Sequence, residues 1–202
     1  MQWLSNPDAR PSALPAVWLI ATDARPQGLD ERSRLRRGLG RTIAARWLGL
    51  DEREVAIGHD PAGQPFIEAP GASRLRLSLA TRSGVVAVAL AERAVGVDVE
   101  TVDADTAPPL ALLHPDERRA LALAAERERP VAFARLWAAK EAYVKALGTG
   151  FSRPPESFAV TLEDPIHVAI RDPQRPAPVR GETLLTTNGG QVSLAAAVVV
   201  LG

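Results

Sequence analysis

The sequence predicts an α+β fold of two similar-sized halves, each a helix packed on a small, mostly antiparallel sheet. Two segments carry helical periodicity, residues 30–49 and 130–147, one in each half. Short runs of alternating or continuous apolar residues, bounded by Gly, Pro and charged turns, follow both helices and read as strand meanders. The length of 202 residues, with 46% hydrophobic and 24% charged, suits one medium domain or two small halves sharing a core.

In residues 30–49, Leu35, Leu39, Ile43 and Trp47 recur every four positions, and Gly49 can close the helix. Its other face is rich in arginine: Arg32, Arg34, Arg36, Arg37, Arg41 and Arg46. A Pro- and Gly-rich loop or weak hairpin occupies 58–72, and Leu75, Leu77 and Leu79 then alternate with polar residues as a half-buried strand does. Strands at 84–90 and 94–100 follow, parted by a turn at 91–93. The acidic, proline-bearing stretch 101–109 is a natural connector, which sets the expected halves at 1–105 and 106–202. Pro115 is placed to begin a helix, with Asp116 and Glu117 complementing its dipole and His114 as a cap. The second long helix stops at Gly148, with Gly150 just beyond. Strands at 158–162, 167–170, 183–187 and 191–201 complete the chain, with a Pro-rich loop at 171–178. Residues 83–90 and 190–201 echo one another faintly.

Composition removes several classes of function. Lys+Arg and Asp+Glu both total 24, so a general affinity for nucleic acid or anionic membrane is not expected. The chain has no cysteine, and its three histidines, His59, His114 and His167, are scattered. A disulfide scaffold, a thiolate nucleophile and a Cys/His metal site are thereby excluded. The most apolar N-terminal stretch, 13–21, is interrupted by Pro15, and no run approaches the ~20 residues that cross a bilayer. A cytoplasmic protein is the expectation.

Two segments carry chemistry. In Val95-Gly96-Val97-Asp98-Val99-Glu100 the valines share one strand face, while Gly96, Asp98 and Glu100 share the other. Asp98 and Glu100 then lie roughly 6.6 Å apart along the strand. They repel unless a cation or donor intervenes, although a strand with its acids facing water carries the same pattern. In the second helix, Phe133, Leu136, Trp137, Val144 and Leu147 form an apolar arc, and Lys140 falls inside it. A charge there needs a partner or must snorkel out. Glu141 and Lys145 stand side by side at the arc's edge, four residues apart, as a surface Glu–Lys pair also would. The chain has 22 arginines and two lysines, and both lysines occupy this patch. An ammonium is a compact point charge suited to a phosphate oxygen in a tight site. Together, three carboxylates and two ammonium groups are the set that a hard divalent ion and a phosphorylated substrate require.

The Gly96-Val97-Asp98-Val99-Glu100 segment, followed about forty residues later by Trp137-Ala138-Ala139-Lys140-Glu141-Ala142-Tyr143-Val144-Lys145, resembles the paired signature of 4′-phosphopantetheinyl transferases. Length and the two-half organisation resemble the surfactin-type branch, a monomer whose halves are related by a pseudo-twofold axis. The resemblance runs from about Arg32 to the Gly148-Thr149-Gly150 turn and the strand after it. It implies transfer of the phosphopantetheine arm of coenzyme A to a serine of an apo acyl or peptidyl carrier protein, with release of adenosine 3′,5′-bisphosphate. Carried over by residue, it assigns Asp98, Glu100 and Glu141 to Mg²⁺, and Glu141 and Lys145 to catalysis. Lys140, Lys145, Arg32 and Arg41 would contact the phosphates or lie near the nucleotide.

Two positions depart from the family pattern. The usual Gly-Lys-Pro is Gly63-Gln64-Pro65, and the usual histidine, seventeen residues before the metal aspartate, is Thr81, with Arg82 beside it as a substitute cation. Gln64, Thr81 and Arg82 therefore belong to the expected coenzyme A pocket in altered form. A non-catalytic relative that binds a carrier protein, or a transferase with an altered donor, are the alternatives these changes raise.

Overall fold

A computed structural model describes residues 1–24, 26–149 and 152–202; Gly150, expected in the turn after the second long helix, lies outside them. The first sheet contains β1 (Gln2–Leu4), β2 (Ala16–Ala21), β5 (Arg76–Arg82) and β6 (Val85–Ala91), in the order β1-β2-β6-β5. The second contains β7 (Val95–Thr101), β8 (Ala159–Leu162), β9 (His167–Arg171), β10 (Val179–Asn188) and β11 (Gln191–Val200), in the order β7-β11-β10-β9-β8. Strands β3 (Ala56–His59) and β4 (Pro65–Glu68) form the small hairpin. The helices are α1 (Leu29–Leu48), α2 (Pro115–Leu123) and α3 (Arg129–Leu147). Among the described residues all pairings are antiparallel except β1 with β2.

The apolar residues sort into three layers. Ile43 and Ala44 of α1 meet Trp18, Ile20, Val86 and Val88 on one face of the first sheet. Val17, Ala87 and Ala89 from its other face meet Val97, Val99, Ala196 and Val198 of the second sheet. The far side of the second sheet, with Val168, Ile170, Ala197 and Val199, packs on Ala138, Ala142, Tyr143 and Ala146 of α3. The order is thus helix, sheet, sheet, helix, as expected of an α+β chain whose sheets are mostly buried on both faces.

Two elements escape the alternation rule. β2 is buried at its first five positions, so it shows a continuous apolar run rather than a period of two. β1 is three residues long, too short for any pattern. β7 pairs along its length with β11, Asp98 opposite Ala197 and Glu100 opposite Ala195. By hydrogen bonding β7 belongs to the second sheet, although it precedes the acidic connector in the chain.

Both long helices end on glycines in the left-handed region, Gly49 at φ 71° and Gly148 at φ 72°. β5 and β6 are joined by a two-residue turn with Ser83 at φ 46° and Gly84 at φ 79°. Two positive φ values match the strands' right-handed twist and fix the register, Arg82 opposite Val85. The turn sets Arg82 at the mouth of the cleft described below.

Candidate active site

Strand β7 and helix α3 come together because Gly96 has no side chain. A Cβ on Gly96 would lie 1.8 Å from the carbonyl oxygen of Ala142 and 2.6 Å from the amide nitrogen of Ala146. Those atoms are backbone and cannot swing aside, so the close approach demands glycine at this position. Gly96→Ala is expected to push α3 off the sheet and destabilise the protein by about 1–3 kcal/mol. Urea unfolding measures this, and a midpoint equal to wild type would contradict the close approach.

This contact brings Asp98 and Glu100 of the strand beside Glu141 and Lys145 of the helix. Lys145 Nζ donates to Asp98 Oδ1 at 2.7 Å and to the carbonyl of Val97 at 3.1 Å. The other Asp98 oxygen, Oδ2, is buried and accepts no hydrogen bond. Burial pushes the Glu141 carboxyl up from its ordinary range, with added repulsion from Asp98 and Glu100 and an opposing pull from Lys145. Glu100 is likewise pushed up by burial and by Asp98, against the lowering effect of Arg82 and Lys145. Its Oε2 lies 2.6 Å from Arg82 Nη2. Three carboxylates therefore share one electrostatic neighbourhood with one lysine.

Among the described residues no three acidic or histidine side chains converge on a single point. Asp98 is turned to Lys145 and Glu100 to Arg82. The donor set nonetheless fits a hard divalent cation: an orphaned buried carboxylate oxygen, flanked by two acids whose charge the surroundings disfavour. Mg²⁺ is held by few carboxylates, with water and phosphate oxygens completing its shell, so a closed protein cage is not needed.

Two concavities adjoin the acids. A cleft of about 570 Å³ is lined by Arg32, Leu35, Thr81, Arg82, Ser83 and Thr101. A smaller pocket of about 180 Å³ is lined by Arg36, His59, Gln64, Leu77, Lys145 and Gly148. Arg36 is missing from the expected site residues, yet among the described residues it has no ion-pair partner; burial lowers its pKa, as does Arg37. It lies one helical turn beyond Arg32, and that spacing was the signal for it in the sequence. Gln64 Nε2 donates to the carbonyl of Lys145 at 2.7 Å, so it ties the β3–β4 hairpin to the end of α3. The Thr81 hydroxyl donates to the carbonyl of Val85 at 3.0 Å.

Two expected site residues stand elsewhere. Lys140 is 1% exposed, and its ammonium lies 2.7 Å from Glu117 Oε1, 2.7 Å from the Pro155 carbonyl and 2.9 Å from the Phe158 carbonyl. Every donor is engaged within the core, above the ring of Phe158, away from the acids. Burial pulls its pKa down, opposed by Glu117. The charge inside the apolar arc has its partner on α2, in Glu117. Arg41 Nε lies 3.8 Å from Glu52 and lines neither concavity. Nine residues at about 100° each turn it to the side of α1 opposite Arg32, so it does not join the cleft.

An acid-rich strand end and an α-helical Glu–Lys pair thus stand beside an arginine-lined cleft. Comparison with known proteins gives the family. A profile of the 4′-phosphopantetheinyl transferase superfamily matches residues 94–197, just over half of the chain, from the start of β7 into β11. A 4′-phosphopantetheinyl transferase of Bacillus subtilis is 29% identical over 134 residues, covering 66% of this chain and 59% of that protein. A phosphopantetheinyl transferase of Thraustochytrium sp. is 27% identical over 151 residues, covering 67% of this chain and 52% of that protein. The alignments thus span between half and three-fifths of these relatives. The chain belongs to the 4′-phosphopantetheinyl transferase superfamily.

Proposed function

We propose that this chain transfers the 4′-phosphopantetheine arm of coenzyme A to a serine hydroxyl of an apo acyl or peptidyl carrier protein. The observation that carries the reading is the gathering of Asp98, Glu100 and Glu141 around Lys145 at the edge of a cleft lined by Arg32 and Arg82. In the reaction the serine oxygen forms a bond to the phosphorus that bears the pantetheine arm. The bond from that phosphorus to the bridging pyrophosphate oxygen breaks, and adenosine 3′,5′-bisphosphate leaves with the electron pair.

Each residue has a part that its surroundings support. Glu141, whose proton affinity burial raises, takes the serine proton directly or through a water. Lys145 neutralises phosphate oxygens at the reacting centre, and Arg32, Arg36 and Arg82 the remaining phosphates. Asp98, Glu100 and Glu141 would hold Mg²⁺, which withdraws charge from the pyrophosphate when bound. Among the described residues no helix is long and apolar enough to cross a membrane, and we read the protein as a cytoplasmic monomer.

The test is incubation with coenzyme A, Mg²⁺ and a panel of apo carrier proteins, followed by intact-mass measurement of each carrier. The expected result is a phosphopantetheine adduct on at least one carrier, lost on adding a chelator. Absence of an adduct on every carrier, with no coenzyme A binding by calorimetry, overturns the reading. Carrier binding with neither transfer nor coenzyme A binding favours a carrier-binding relative, which tight Mg²⁺-dependent coenzyme A binding rules out.

A further inference from the structure

Within this site two cations pair with candidate metal ligands, Lys145 with Asp98 and Arg82 with Glu100. The Arg82 guanidinium, the partner of Glu100, also lines the cleft that holds Arg32. The ion pair bridges the β5–β6 turn and the end of β7, and Ser83 Oγ and Thr101 Oγ1 make a second contact between them at 3.2 Å. The Glu100 side chain is 17% exposed and the Arg82 side chain 46%. The carboxylate is thus largely sheltered, while the guanidinium reaches it from the open cleft and has room to turn away. Position 81 supplies no cation, and its hydroxyl hydrogen is spent on Val85. Arg82 is therefore the cation that this strand end offers an anion.

We propose that Arg82 is a shared counter-ion that couples divalent-cation binding to anion binding in this chain: it pairs with Glu100 in the structure and turns to the anion when a cation takes that carboxylate. The proposal rests on the reading of Asp98, Glu100 and Glu141 as Mg²⁺ ligands and of the arginine-lined cleft as the coenzyme A site. A cation binding alone must separate Glu100 from Arg82. An anion binding alone must draw Arg82 from Glu100. When both bind, the pair is broken once for two gains, so each ligand raises the affinity for the other by the same factor. Arg82 is then a specificity-determining residue: it favours the doubly loaded site over either ligand alone.

Calorimetry on the wild type, Arg82→Gln and Arg32→Gln reads this directly, with Mg²⁺ alone, coenzyme A alone and coenzyme A in saturating Mg²⁺. Arg82→Gln is expected to bind Mg²⁺ alone about 3- to 10-fold more tightly than wild type, because Glu100 is released. The same change should reduce the enhancement of coenzyme A binding by Mg²⁺ at least about 5-fold. Arg32→Gln removes an equal charge from the same cleft without touching Glu100, so it should weaken coenzyme A and leave Mg²⁺ affinity within about 2-fold. If Arg82→Gln leaves Mg²⁺ affinity and the enhancement unchanged, or if both variants tighten Mg²⁺ alike, the coupling role is overturned while the assigned reaction stands. Failure of the wild type to bind either ligand overturns both.

Discussion

Glu141→Gln is expected to abolish transfer while making the ligand-free protein more heat-stable. Removing a group that accepts a proton in the transition state lowers the rate by about 10²- to 10⁴-fold. Stability moves the other way because the Glu141 carboxylate is disfavoured by burial and by the charges of Asp98 and Glu100. An isosteric amide keeps the packing and discards the repulsion, so the melting temperature should rise by about 1–4 °C. The pH dependence has a definite sign. The folded chain holds the protons of Glu141 and Glu100 more tightly than the unfolded chain does. Folding therefore takes up protons, and stability falls as pH rises from about 4.5 through the raised values. Glu141→Gln should flatten that slope in calorimetric scans between pH 4 and 7. A variant that melts lower than wild type, or transfers at the wild-type rate, would contradict this account of the acids.

The second large effect lies in the core. Glu117 uses both carboxylate oxygens: Oε2 accepts the His114 amide at 2.8 Å, while Oε1 takes Lys140 and the Val160 amide, each at 2.7 Å. Lys140 and Glu117 are each 1% exposed. Glu117→Ala leaves an ammonium buried without its counter-charge and the amides of His114 and Val160 without their acceptor, a loss of about 3–5 kcal/mol. A Lys140→Met, Glu117→Leu double variant removes both charges together and should recover most of it. Urea denaturation of the three proteins decides the matter: a single variant within about 1 kcal/mol of wild type would mean that Lys140 finds water.

These two cases also mark what the sequence could and could not reveal. Asp98, Glu100, Glu141 and Lys145 were legible because alternation along a strand and rotation about a helix are local rules, and each rule places its pair on one face. The glycine that lets the two faces meet sits in the same motif. The destination of Lys140 was not legible, since periodicity shows that a buried charge needs a partner but not which one. Its partner stands on another helix, within the capping box of α2. The placement of Arg41 was not legible for a different reason: a run of arginines names a helix as basic without saying which of its sides meets the cleft. β2 was missed because a strand covered on both faces carries no alternation to detect.

Gln64 at first reads as a lost positive charge, yet its amide holds the hairpin against the last turn of α3, close to Gly148: a Cβ there would lie 2.7 Å from the glutamine Oε1. The consequence is mechanical. Residues 56–68 are tied by that bond to the helix end that bears Lys145, so a load on the hairpin is passed to the last turn of α3. A neutral amide thus joins two parts of the chain about eighty residues apart.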